Sequence, residues 1–174
     1  MMPPNSDLSQ EYMISDLGEA AHMDDFAYME LAIALAREAA ADGEIPVGAV
    51  IADRETGEIL GTGRNRREAD HSPTAHAEIL AIEEAAKKRG TWRLSGCTLY
   101  VTLEPCPMCA GAVINARIDR LVFGAYDEKA GAVVSVQQMF SLPYNHRPRV
   151  TAGLLELPCA AVLQEFFQSL RDKS

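Results

Sequence analysis

Two short segments, His76-Ala-Glu78 and Cys106-Pro-Met-Cys109, hold four residues of the types that bind metals and move protons. Cysteines three apart at the start of a helix lie on one face, with sulfurs close enough to share an ion. A helix N-terminus favours anionic sulfur, so both thiols are predisposed to be thiolates. Pro107 suits a first turn, where an N–H has no intrahelical partner. Two thiolates leave a zinc shell incomplete, and His76, at the start of its own helix, can supply a third ligand. Catalytic zinc usually takes three protein ligands and keeps the fourth position for water. His22 near the N-terminus and His146 in a distant loop fit less well, so the site reads as open. Glu78, two positions after His76, can lie beside the metal without binding it. There it can take up a proton from a water whose pKa the metal lowers to about 7, and pass it to a substrate. A structural zinc site has no use for that carboxylate.

These residues need a scaffold, and the remaining pattern supplies one. Asp24 can cap a helix over about 25–42, whose stripe of Tyr28, Leu31, Ala32, Leu35 and Ala39 has helical period and which Gly43 stops. Residues 46–52 and 58–63 read as antiparallel strands around a turn at 54–57, followed by a polar loop over 64–72. Ser72 or Thr74 can cap a second helix ending near Gly90. Residues 98–103 form a strand leading into the cysteine pair, a third helix runs to about Ala116, and 120–124 form a buried strand. Strand, helix and strand in so short a span imply a right-handed parallel crossover. Residues 126–148 are irregular with one short helix, 150–154 a last strand, and 158–171 a closing helix. The sum is a five-stranded mixed sheet with helices on both faces, an α/β domain without repeats.

A chain of 174 residues suits one domain with a full core. No apolar run approaches the roughly 18 residues of a membrane span, and no signal or transit pattern is present, so a cytoplasmic protein is expected. The net charge of −9 argues against phosphate binding until its distribution is considered. Residues 1–30 hold seven of the 25 acidic residues and none of the 16 Lys and Arg, leaving the rest nearly neutral. Residues 1–23 are expected to form an acidic, mobile leader and 24–172 a single domain. Arg64, Arg66 and Arg67 form a small basic cluster that is either an RNA-facing strip or a solvated loop. Cys97 and Cys159 read as small buried apolar residues, and His71 as a structural histidine of the loop into the site.

The combination H-x-E and P-C-x-x-C, each half at a helix start and the second after a strand, is the known zinc-deaminase signature. Over roughly residues 24–172 the chain also resembles the bacterial tRNA-specific adenosine deaminases. The matching stretches include Glu44-Ile-Pro-Val-Gly-Ala-Val50, Pro73-Thr-Ala-His-Ala-Glu78, Thr98-Leu-Tyr-Val-Thr-Leu-Glu-Pro-Cys106, Met108-Cys-Ala-Gly-Ala112, Val122-Phe-Gly-Ala125 and Asn145-His-Arg147. The resemblance implies a three-layer cytidine-deaminase-like fold. It implies hydrolytic conversion of adenosine to inosine at the wobble position of a tRNA anticodon, by a homodimer with one Zn²⁺ per subunit. It also implies site roles: Asn65 hydrogen-bonding the purine, the Ala77 backbone facing the reacting water, and Glu44, Pro46 and Val47 completing the base pocket. Ala125, Asp127, Lys129 and Asn145 match positions expected to hold flanking anticodon nucleotides, and Phe166 and Phe167 match an aromatic pair in the closing helix.

Three features depart from the family pattern. Tyr126 stands where relatives often carry Arg, which removes a phosphate partner and offers a stacking face. The C-terminal segment 168–174 is less basic than usual, and the acidic leader has no counterpart. Two other readings remain at this point. A deaminase of a free base or nucleotide, of guanine or cytosine type, would share the zinc residues but need a closed pocket. A non-enzymatic zinc or thiol-redox module would not use Glu78 and would want a fourth protein ligand.

Overall fold

The computed structural model describes residues 24–174, so the leader expected over 1–23 lies outside the described residues. Helix α1 (Asp25–Ala41) starts where expected: the Asp24 carboxylate accepts the Ala27 N–H at 2.9 Å, and Gly43 follows the helix with φ +81°. The order continues as β1 (Gly48–Asp53), β2 (Ile59–Arg64), α2 (Ala77–Arg89), β3 (Cys97–Leu103), α3 (Pro107–Asn115), β4 (Arg120–Ala125), a short 3-10 turn at Met139–Ser141, β5 (Arg149–Ala152) and α4 (Glu156–Asp172).

The five strands form one mixed sheet in the order β2-β1-β3-β4-β5. β1 is antiparallel to β2 and β3, while β3, β4 and β5 run parallel, the β3-α3-β4 unit being the expected crossover. Alternation along the strands divides the core in two. Ala49, Ile51, Leu99, Val101, Leu121 and Phe123 pack under α2 and α3. Val50, Ala52, Tyr100 and Val122 pack under α1 and α4, with Tyr28 stacked on Tyr100 at 4.9 Å. The result is the three-layer α/β architecture expected of the cytidine-deaminase-like fold.

Helix α2 lies unusually close to β2 because two strand residues there have no side chain. A Cβ on Gly61 would run into the carbonyl of Ala81, and one on Gly63 into that of Ala77. Facing them, the helix presents Ala77, Ala81 and Ala85, all fully buried. Small residues on both partners thus set the depth at which the start of α2 sits.

Three boundaries differ from expectation. Helix α2 is capped neither by Ser72 nor by Thr74: those hydroxyls face each other at 3.3 Å, and the N-cap position belongs to His76. Helix α4 begins at Glu156, before Pro158, because a proline in the first turn gives up no intrahelical bond. Strand β5 stops at Ala152, where Gly153 turns to φ +82°. His71 is exposed, in the loop leading to the site, with φ +48°. Cys97 and Cys159 are buried as expected, and burial pushes both thiols up to about 11.

Candidate active site

Helices α2 and α3 aim their N-termini at the same point, and the N-cap of each is a potential metal ligand. His76 stands at the N-cap of α2 and Cys106 at that of α3, and neither side chain makes the usual capping bond. The side chains are turned toward each other instead. His76 Nδ1 lies 3.6 Å from Cys106 Sγ and 3.5 Å from Cys109 Sγ, and the three donor atoms lie within 4.8 Å of one another. This is the one group of its kind among the described residues able to hold a metal ion. Hydrogen bonding from Cys109, and next from His76, pulls the Cys106 thiol down to about 4 despite burial. The same bond with Cys106, together with burial, pushes the Cys109 thiol up. Hydrogen bonding to Cys106 raises His76.

Glu78 is the second residue of α2 and is 4 % exposed. Burial raises its carboxyl above the usual carboxylate range, against the opposing effects of Cys109 and His76. It lines, with His76, Ala77 and Cys106, a half-open cavity of about 690 Å³, a size typical of small-ligand sites.

The walls come from four other segments. Asn65 is buried, donates from Nδ2 to the Ile45 carbonyl at 3.1 Å and accepts the Arg67 N–H on Oδ1 at 3.1 Å. An amide side chain offers two donors and two acceptor lone pairs, so one of each remains for a ligand. Ile45 and Val47 add apolar surface on the same side. Ala125, Asp127 and Lys129 also line the cavity, where the chain leaves β4, and Phe167 lines it from α4. Pro46 is buried beside Val47 without lining the cavity, Phe166 packs edge-on against Phe167, and Asn145 is exposed outside the lining. His146 donates from Nε2 to the Ile118 carbonyl at 2.7 Å and belongs neither to the cavity lining nor to the candidate metal group.

Two buried carboxylates hold these walls in place. Glu44 accepts backbone N–H groups from Glu68 and Ala69 at 3.3 and 2.8 Å, fastening the loop that carries Asn65 and Arg67. Glu104, 2 % exposed, accepts from the backbone of Asp127, Val133, Val134 and Ser135 and from the Ser135 hydroxyl. Burial alone would raise the Glu104 carboxyl, but these bonds hold it below the usual range. Gly131 packs so closely on this carboxylate that a Cβ would overlap it. Glu104 belongs to no catalytic motif, and its place directly before Pro105-Cys106 is the one local signal of its part.

The basic cluster divides. Arg64 pairs with Glu38 and Asp42, and Arg66 with Asp70, whereas Arg67 lines the cavity. Among the described residues, no helix is long and apolar enough to cross a membrane.

Comparison with known proteins bears on what this cavity accepts. The MafB19-like deaminase family profile matches residues 23–171. The tRNA-specific adenosine deaminase of Bacillus subtilis (strain 168) is 47% identical over 150 residues, which is 86% of this chain and 92% of that protein. A solved structure from a study of A-to-I editing by tRNA:A34 deaminases at the wobble position is 46% identical with TM-score 0.76, covering 79% of this chain and 99% of that one. The guanine deaminase of Nitrosomonas europaea is 28% identical with TM-score 0.69, covering 95% and 93%.

Proposed function

The chain belongs to the MafB19-like deaminases and, among them, to the tRNA-specific adenosine deaminases, and from that premise we propose that it converts adenosine to inosine at wobble position 34 of a tRNA anticodon. The observation that carries the chemistry is the juxtaposition of the His76, Cys106 and Cys109 donor atoms with the buried Glu78 carboxyl in one cavity. Zinc is the metal we assign. A tetrahedral ion with bonds of about 2.0 Å to nitrogen and about 2.3 Å to sulfur spaces each N···S pair about 3.5 Å apart. The 3.5 and 3.6 Å separations fit that geometry.

Zinc held there supplies a water acidic enough to serve as nucleophile near neutral pH. Glu78 takes that water's proton and delivers a proton to ring N1 as oxygen attacks C6. It then takes the remaining proton from the oxygen now on C6 and delivers it to the departing amine, so water and adenosine become inosine and ammonia. Asn65 offers its spare donor and acceptor to the purine edge, the Ala77 backbone faces the reacting water, and Val47 packs on the ring. Glu44 and Pro46 act at one remove, by shaping the loops that carry Asn65 and Val47. Ala125, Asp127 and Lys129 hold flanking nucleotides, with Asn145 reaching RNA beyond the cavity.

Residues 24–172 supply every one of these groups, as one deaminase domain, and a tRNA substrate suits a cytoplasmic location. We assign a homodimer with one zinc per subunit. Exposed Val134, Val136, Leu142 and Tyr144 support this by giving a partner apolar surface to cover. Metal analysis and light scattering should give one zinc per chain and a mass twice 18.9 kDa. Chelation should abolish ammonia release from an adenosine-34 RNA, and zinc should restore it; activity that survives complete removal of zinc would contradict the assignment.

A further inference from the structure

The mouth of the cavity is poor in positive charge for a site that takes RNA. Arg67 and Lys129 are its lysine and arginine lining residues, and they share it with the acidic Asp127, Glu128 and Glu156. What the mouth does have is an aromatic ring in a fixed position. Tyr126 lines the cavity and is 40 % exposed. Phe123 meets its ring at 89°, with centroids 5.2 Å apart. On another side the ring lies along the turn between β5 and α4, where a Cβ on Gly153 would sit 3.6 Å from its hydroxyl and 3.7 Å from a ring carbon. The backbone on either side of Tyr126 is tied to one residue. The Ala125 carbonyl accepts the Glu104 N–H at 2.8 Å, and the Asp127 N–H donates to the Glu104 carboxylate at 3.1 Å.

We propose that Tyr126 is the stacking platform for the base next to the target nucleotide, and that RNA is held at this mouth more by stacking than by phosphate neutralisation. This rests on the tRNA deaminase reading above. A ring already held on two sides loses little conformational freedom when a base covers its open surface. Stacking needs only a π-face, so the contact tolerates any of the four bases. Two cations can neutralise at most two phosphates, and single-stranded nucleic acid gives a slope of about −0.7 per phosphate in log affinity against log salt. The cavity mouth itself therefore contributes no more than about −1.4 to that slope.

The test uses the zinc-loaded full chain and an adenosine-34 anticodon stem-loop, with substrates in which either neighbour of the target is replaced by each other base or made abasic. Tyr126→Ala should raise KM by about 5- to 150-fold, the span of base–aromatic stacking, with kcat within about twofold. Tyr126→Leu, which keeps an apolar body against Phe123, should behave like Tyr126→Ala, and Tyr126→Phe and Tyr126→Trp like wild type. An abasic neighbour on one side should raise the wild-type KM to a similar extent yet leave that of Tyr126→Ala almost unchanged, because the two changes remove one contact. Base swaps there should matter little. Unchanged KM in Tyr126→Ala and Tyr126→Leu, or additive losses with both abasic neighbours, would each overturn the proposal. A wild-type enzyme that leaves every stem-loop untouched would instead remove the tRNA reading beneath it.

Discussion

Glu78 enters the cavity from the first turn of α2, one residue beyond Ala77 and two beyond His76, so metal ligand and carboxyl are delivered by the same stretch of backbone. Replacing it with alanine removes a proton carrier without touching a ligand. Glu78→Ala should keep zinc stoichiometric while turnover falls by about 10²–10⁴-fold or more, the range for general acid–base groups. Metal analysis beside ammonia release checks this, and residual activity within tenfold of wild type removes Glu78 from its role. The grouping of His76, Cys106 and Cys109, with Glu78 in the same cavity, is legible in the sequence because metal chemistry restricts both residue type and local spacing. Glu44 and Glu104 were not legible in their observed parts, because their partners are backbone N–H groups 23 to 31 residues away. A carboxylate that binds main chain leaves no pattern in the identities of its partners.

At the scale of elements, the decisive contact is the close approach of α2 to β2. Gly63 faces the carbonyl of Ala77, at the catalytic end of the helix, and Gly61 faces that of Ala81, about one turn further on. Gly63→Ala and Gly61→Ala should each cost about 1–3 kcal/mol by overpacking. Their effects on activity should differ. Displacing the start of α2 moves His76 and Glu78 together, and misplacement by about 1 Å can cost roughly a hundredfold in rate. Gly63→Ala should therefore lose the larger share of kcat at a similar loss of thermal stability. Melting curves and turnover on the two variants check this, and equal kcat losses would count against the helix depth as the controlling feature. The strands and the β3-α3-β4 crossover were readable from alternation and segment length. The start of α2 differs from expectation, because Ser72 and Thr74 carry good capping hydroxyls but bond each other while the cap position falls to His76.

On the scale of the molecule, a buried ion pair ties the first helix to the sheet. Arg120 on β4 donates to both Asp25 oxygens at 2.9 and 2.8 Å, Tyr100 donates to the same carboxylate at 2.7 Å, and Arg120 also reaches the Thr151 hydroxyl. Burial raises the Asp25 carboxyl, but the bonds from Arg120 and then Tyr100 outweigh it and hold the group below its usual value. The folded pKa thus lies under the unfolded value of about 3.9. The stabilisation is complete above that value and is lost as pH falls through the folded one. Asp25→Asn should lower stability at pH 7, with the gap from wild type closing below about pH 4. Denaturant unfolding from pH 7 to pH 3 measures this, and a gap that stays constant would contradict it. The pairing was not readable, since 95 residues separate the partners and Asp25 looked like a neighbour of the cap. The same limit applied to the arginine cluster, where Arg64 and Arg66 turn out to be paired with acids.

The central claim is that this cavity deaminates adenosine within a tRNA anticodon. The most direct measurement incubates the zinc-loaded protein with an adenosine-34 anticodon stem-loop and, in parallel, with free adenosine, adenine, guanine and cytosine, reading inosine by mass or sequencing and ammonia by assay. Inosine at position 34, with the free compounds untouched, is the predicted result. Ammonia from a free base with the RNA unchanged would contradict it, leaving the zinc chemistry in place but assigning the chain to small-molecule deamination.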